Sequence, residues 1–341
     1  MRDHFLSLSI KTFINTFFHG NLMSEPLLTL KGVTKSFGEK KVLKGINLDI
    51  FRGDVFGIIG SSGSGKTTLL NTLIGFYEPD EGDVLIQLPN TKGQPALFSI
   101  FKNGNDVMRA FGFSAQKPSF YMKLTVQENM DYFATLYNLK PETKEKNIAN
   151  LLKLVGLDQD AKALGQNLSG GMQKRLDIAC SLVHNPKVLI LDEPTADLDP
   201  ILRKQMWDLI QRINKSGTTI IIASHFLDEI ELVATRIGTM HAGDLSYIGA
   251  PSDLSKRFST VEEVHLQTVP GDYKSLMKKL GTKALGIYDV REEGPQIIFK
   301  TKDMKKTVVK LLGTLRSSKE TMLVLEVHKP YLREIFEKLE K

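Results

Sequence analysis

A glycine-rich stretch, Gly60-Ser61-Ser62-Gly63-Ser64-Gly65-Lys66-Thr67-Thr68, carries the residue types that hold a nucleoside triphosphate. Glycines let successive backbone amides point into one concavity, and a helix that starts there adds its positive dipole end. Lys66 supplies a mobile charge for the outer phosphates, and the Thr67 hydroxyl suits a Mg²⁺ ion that bridges them. The run before it, Val55-Phe56-Gly57-Ile58-Ile59, reads as a buried strand. Leu69, Leu70, Leu73 and Ile74 after it read as the buried side of a helix. Strand, turn and helix in that order point to ATP or GTP binding and are silent about what the energy drives.

Two more groups fit that chemistry. Val188-Leu189-Ile190-Leu191-Asp192-Glu193 is an apolar strand ending in two acids, on the sheet edge where the phosphate loop lies. Asp192 is placed to hold Mg²⁺ and Glu193 to orient and deprotonate an attacking water. In Leu168-Ser169-Gly170-Gly171-Met172-Gln173, Ser169 reads as a helix N-cap, with Met172, Leu176, Ala179 and Val183 on the helix's apolar side. That makes a second anion site. One chain cannot easily bring both sites onto one phosphate, whereas two chains head to tail can.

The elements that must position these groups follow from periodicity. Strands are expected at 27–33, 42–51 and 82–88, an extended hairpin loop at 89–104, and helices from 124 to about 156. Strands and helices then alternate to about 240, as in a parallel sheet covered on both faces. Beyond residue 257 the expected order is strand 261–268, helix 272–280, strand 284–291, strand 296–300, helix 304–315, strand 321–327 and helix 330–339. The first six elements give βαββαβ, a ferredoxin-like order.

With 341 residues, 41% hydrophobic and 25% charged, the chain has the composition of a globular protein of about two domains. Its net charge of +6 permits contact with nucleic acid or an anionic membrane, but Lys and Arg are scattered without a basic stripe. Its lone cysteine, Cys180, excludes an internal disulfide, fits a reducing compartment and reads as a packed core thiol. No apolar run approaches the ~20 residues of a membrane span, so a transmembrane role is expected of a separate chain. Phe5, Leu6, Ile10, Phe13, Ile14, Phe17 and Phe18 make residues 1–22 amphipathic. That extension is either a docking segment or a non-native start, with Met23 opening the natural domain.

Residues 27–255 resemble the ATP-binding subunits of ABC transporters. Beside the phosphate loop and residues 168–173, the resemblance rests on Gln116 after Phe111-Gly112-Phe113-Ser114-Ala115 and on Glu193-Pro194-Thr195. It rests also on Ala196-Asp197-Leu198-Asp199-Pro200 and on Ala223-Ser224-His225. It implies an α/β P-loop NTPase domain over 23–257, with a parallel core sheet, an antiparallel β subdomain and a helical subdomain at about 117–185. An α+β accessory or regulatory domain of ferredoxin-like pattern is expected over 258–341.

Carried onto this sequence, the resemblance implies that residues 60–68 bind ATP and Phe37 stacks on adenine. Thr67, Asp192 and Gln116 serve Mg²⁺, and Gln116 links it and the water to a transmembrane partner. Ser169, Gly170 and Gly171 touch the γ-phosphate held by the other protomer. Asp199 crosses the dimer interface, and His225 holds the γ-phosphate beside the base Glu193. The pattern departs from the family at Phe37, where tyrosine is common, at Asp197, where a small residue is usual, and in the longer stretch 89–104.

Phe120-Tyr121-Met122-Lys123-Leu124-Thr125-Val126-Gln127-Glu128-Asn129-Met130 and His225-Phe226-Leu227-Asp228-Glu229-Ile230-Glu231 resemble exporter ATPases of the ABC-2 type. The expected protein is a peripheral ATPase on the cytoplasmic face. It would pair with itself or a similar ATPase subunit and drive separate permease subunits, with no nucleic acid. The rival is a soluble ABC ATPase acting on ribosomes or DNA. One phosphate loop, one Ser-Gly-Gly motif and the lack of sustained heptads oppose it.

Overall fold

The structure, a computed structural model, describes residues 25–258, 262–281, 285–318 and 320–328. The amphipathic stretch 1–22 and the helix expected at 330–339 lie outside them. Contacts divide the chain into two units, one of residues to 225 with 238–246, the other of 226–237 with residues from 247 on.

In the first unit a hairpin of β1 (Leu28–Phe37) and β2 (Lys40–Ile50) precedes β3 (Val55–Ile59), α1 (Lys66–Leu73), β4 (Glu81–Pro89) and β5 (Pro95–Ser99). Strands β1, β2, β4 and β5 form an antiparallel sheet of order β2-β1-β4-β5. The stretch expected as an extended hairpin loop is thus a paired edge strand reached by a tight turn. Asn90 Oδ1 closes that turn by accepting from the amides of Lys92 at 2.9 Å and Gln94 at 3.0 Å.

A short α2 (Gly104–Met108) leads to β6 (Phe111–Ser114). Then come α3 (Val126–Leu136), α4 (Pro141–Val155), α5 (Gly170–Leu182), β7 (Val188–Asp192), α6 (Pro200–Lys215) and β8 (Thr219–Ser224). After α7 (Leu227–Val233), the chain returns through β9 (Arg236–His241) and β10 (Asp244–Gly249). The second sheet has the order β10-β9-β3-β8-β7-β6, in which β3, β8, β7 and β6 run parallel to one another. Strands β3, β7 and β8 are buried throughout, which explains their unbroken apolar sequences.

Helix α1 buries Leu69, Leu70 and Leu73 in a core shared with β1, β2, β4 and the central strands. Helices α3, α4 and α5 pack on one another as the helical subdomain. The helical region expected from residue 124 starts at Val126 and is broken between α3 and α4. Thr125 caps α3, Asn138 takes φ +53°, and Pro141 opens α4 where its missing N–H costs nothing.

The second unit holds α8 (Pro251–Phe258), β11 (Glu262–Val269), α9 (Tyr273–Leu280), β12 (Tyr288–Glu293), β13 (Gln296–Thr301), α10 (Met304–Ser318) and β14 (Thr321–His328). Its antiparallel sheet has the order β12-β13-β11-β14. This is the ferredoxin-like arrangement the element order implied. Val264, Leu266, Leu276, Leu280, Phe299 and Leu311 form its own core. Among the described residues strand β12 begins at Tyr288, after Gly286 turns the chain at φ +62° and Ile287 is buried in that core.

Candidate active site

Four neighbouring parallel strands deliver the site, each at its carboxyl end. Strand β3 ends at Ile59 and hands over to the phosphate loop, β8 ends at Ser224 before His225, β7 ends in Asp192 before Glu193, and β6 ends at Ser114 before Gln116. The ends are level, since Ile59 pairs with Ser224, Asp192 with Ala223, and Ser114 with Leu191. A parallel sheet binds ligands at that edge because every strand there gives way to a loop that can carry chemistry.

The loop is a cradle that side chains would fill. A Cβ on Gly60 would lie 2.4 Å from Met240 O, and one on Gly65 2.8 Å from Met240 Cε. Gly65 also takes φ +108° as the cap of α1, a conformation other residues rarely adopt. Lys66, 8% exposed, donates to Gly60 O at 2.7 Å and Ser61 O at 3.1 Å, so its ammonium is held over the loop's own carbonyls. Burial lowers its pKa, while the charges of Glu193 and Asp192 act in the other direction. Ser64 Oγ is buried with no partner, a polar group in want of a ligand.

At the loop's far end, Thr67 Oγ1 donates to Asp192 Oδ2 at 3.1 Å. Burial raises the Asp192 pKa, and the Thr67 hydrogen bond works against that rise. Glu193 reverses the chain at φ +50°, and its amide donates to Ala223 O at 2.9 Å. Its Oε2 lies 2.8 Å from His225 Nδ1. An open cavity of about 580 Å³ is lined by Lys66, Thr67, Thr68, Gln116, Glu193 and His225 together with loop glycines.

The remaining expected residues lie apart from that cavity. Ser169 caps α5, its hydroxyl accepting from Met172 N at 3.3 Å, and Gly170 and Gly171 open the helix. Asp199 caps α6, accepting from the amides of Ile201 and Leu202, each at 2.9 Å. Phe37 is 44% exposed at the end of β1, edge-on to Tyr77 with ring centres 5.2 Å apart. Asp197 takes φ +63°, which an aspartate tolerates better than most residues.

These residues match a known family. The ABC transporter family pattern matches residues 43–196. The linearmycin resistance ATP-binding protein LnrL of Bacillus subtilis is 29% identical over 311 residues, 91% of this chain and 97% of that protein. The Nod factor export ATP-binding protein I of Ralstonia nicotianae is 31% identical over 300 residues, 87% of each chain. The chain belongs to the ABC transporter ATP-binding proteins. Among solved structures, cbiO1 of Clostridium perfringens, part of the ABC transporter complex cbiONQ, has 30% identity and a TM-score of 0.60 over 68% of this chain and 91% of its own.

As a member of that family the chain is an ATP-binding, ATP-hydrolysing transporter subunit, and nothing in these matches supports a ribosome- or DNA-acting alternative. Among the described residues, no helix is long and apolar enough to cross a membrane. Nor does any group of three or more His, Cys, Asp or Glu among them suit a metal ion. A hydroxyl and a carboxylate, Thr67 and Asp192, are nevertheless the oxygen donors that Mg²⁺ takes when phosphates and water complete its shell.

Some contributors to this ABC site escaped sequence reasoning. Lys40 and Val42 on β2 line the cavity, and nothing in their local sequence marks them. Lys174 and Asp177 on α5 reach the Gln116 loop. The sequence shows their charges beside Leu176, Ile178 and Ala179, but nothing in it shows that both are buried or that they bind the Gln116 loop.

Proposed function

We propose that two copies of this ATPase, or one copy and a similar subunit, close around two ATP molecules. The phosphate loop of one faces Ser169, Gly170 and Gly171 of the other. The observation that carries this reading is the convergence of Lys66, Glu193, His225 and Gln116 on one cavity while the Ser169 cap stands apart from it, on α5. A γ-phosphate seated over Lys66 would leave its outer oxygens for a cap from elsewhere.

Within each site residues 60–68 cradle the phosphates and Phe37 offers its ring to adenine. Glu193 accepts the proton of the attacking water, and His225, fixed at 2.8 Å from it, orients that carboxylate and contacts the γ-phosphate. Thr67, Asp192 and Gln116 would hold Mg²⁺, which supplies neutralisation of the charge developing between the β- and γ-phosphates. Asp199 stands at the protomer interface. Rate enhancement comes from positioning and charge stabilisation, because phosphoryl transfer asks for little else.

The nucleotide-binding domain spans 23–257, with its helical subdomain at about 117–185, followed by an accessory domain over 258–341. It works at the cytoplasmic face of a membrane with separate permease subunits, in the direction of export. The names of the linearmycin resistance and Nod factor export relatives support that direction.

Glu193→Gln tests the core of the reading. The variant is expected to bind ATP as the parent does and to turn it over about 100-fold more slowly, the loss of a general base. Phosphate release and an ATP titration measure the two quantities. Normal turnover by the variant would remove Glu193 from the role of base.

A further inference from the structure

The loop that carries Gln116 is fastened to a single helix at both ends and in its middle. Asp177 on α5 is 1% exposed, and both of its carboxylate oxygens are engaged. Oδ2 accepts from Ser114 Oγ, while Oδ1 accepts from Ser119 N and Ser119 Oγ, both at 2.7 Å. One turn earlier on α5, Lys174 donates to Ala115 O at 3.3 Å and to Gln116 O. Lys174 is 8% exposed. A buried carboxylate and a buried ammonium are costly unless hydrogen bonds satisfy them. The loop therefore cannot slide along α5 without stranding both.

The first turn of that helix is Ser169-Gly170-Gly171. Lys174 lies five positions after Ser169, roughly 7.5 Å along a rigid helix. Any shift imposed on the cap must therefore be carried to the carbonyl of Gln116.

We propose that Asp177 and Lys174 are positioning residues that lock the Gln116 loop to α5, so that the partner's ATP, when it engages the Ser169 cap, sets Gln116 at this chain's own ATP. The two nucleotide sites are thereby coupled through one helix. The inference rests on the roles given above to Gln116 and Ser169.

Its test is ATP hydrolysis by the full chain across ATP concentrations, with ATP affinity and the thermal midpoint measured in parallel. Asp177→Asn and Lys174→Met are expected to lower kcat roughly fivefold or more and to pull the Hill coefficient toward about 1, with ATP affinity nearly unchanged. Lys174→Arg, which keeps a cationic donor, is expected to restore both. Combined with Gln116→Ala, neither substitution is expected to lower kcat further, because residues acting through one group are not additive.

Should Asp177→Asn fail to fold, Ser119→Ala at an exposed position removes one of the two hydrogen bonds that Ser119 gives Asp177 Oδ1, keeps that of the amide, and carries the same expectation in smaller measure. Unchanged kcat and Hill coefficient in Asp177→Asn (or Ser119→Ala) and Lys174→Met would overturn the tether, as would losses that add in full to that of Gln116→Ala. So would a parent Hill coefficient of about 1. Normal turnover by Gln116→Ala would instead strike at the role of Gln116 itself.

Discussion

Single residues here are held in states that cost free energy locally. Glu193 sits at φ +50°, a left-handed conformation that costs a non-glycine residue about 1–3 kcal/mol, and the turn it makes brings its carboxylate to His225. His184, in the same unit but away from the phosphate loop, is held neutral. Its ring stacks on Tyr137 with centres 3.6 Å apart, and its Nε2 lies 2.9 Å from Phe111 O. Its Nδ1 is buried without a partner. Burial is the main reason its pKa falls from 6.5 to about 4; the Phe111 carbonyl opposes the fall and Arg109 adds to it. Above pH 6.5 the ring is neutral folded and unfolded, so stability is complete there. As pH drops from 6.5 toward 4, the unfolded chain takes up a proton that the folded chain refuses, and stability is lost. At pH 5 this amounts to on the order of 1–2 kcal/mol. Thermal unfolding at pH 7 and pH 5 should show a larger acid loss for the parent than for His184→Gln. Equal losses would mean that another group sets the acid limit.

At the scale of elements, the helical subdomain is anchored where α3 begins. Thr125 and Glu128 form a capping box: Thr125 Oγ1 accepts from Glu128 N at 3.1 Å, and Glu128 Oε2 accepts from Thr125 N at 2.7 Å. The hydrogen bond from the Thr125 amide, with a second from its hydroxyl at 2.9 Å, holds the Glu128 carboxyl below the usual carboxylate range. Thr125→Ala is expected to cost about 1 kcal/mol, a fall of about 2–4 °C in thermal midpoint for a unit of this size. A midpoint unchanged in calorimetry would show that tertiary packing alone starts the helix. Strands β3 and β7 were legible in the sequence, because each is a run of apolar residues bounded by turn formers, whereas the cap at Thr125 went unread and periodicity began the helical pattern at residue 124. The edge strand β5 was hidden, since its Pro95 and neighbouring Asn90 and Gly93 read as loop, and only pairing of Leu97 with Gln87 and Phe98 with Ile86 makes it a strand. Gln116, Glu193 and His225 were legible through motif order. The tether of Lys174 and Asp177 was not, because its partners, Ser114, Ala115, Gln116 and Ser119, lie some 60 residues back in the chain and meet α5 only after folding.

For the whole molecule, the decisive quantity is the balance between solitary and paired chains. ATP that contacts two copies stabilises the pair by mass action, so pairing should rise with nucleotide and fall when hydrolysis consumes it. Glu193→Gln removes the second effect and should convert the 38.2 kDa chain to twice that mass at saturating ATP and Mg²⁺. Ser169→Arg in that background places a long cation at the cap. There two glycines follow, and a Cβ on Gly171 would already meet Leu202 Cδ1 at 3.2 Å. In the proposed pairing the added side chain would occupy the space the partner's γ-phosphate needs, and loss of the serine cap alone costs only about 1 kcal/mol, too little to unfold the unit. The double variant should therefore bind ATP with the affinity of a single site and elute as a monomer in light scattering. A dimer that persists in Ser169→Arg, with ATP still required for it, would place the paired surface somewhere other than the cap.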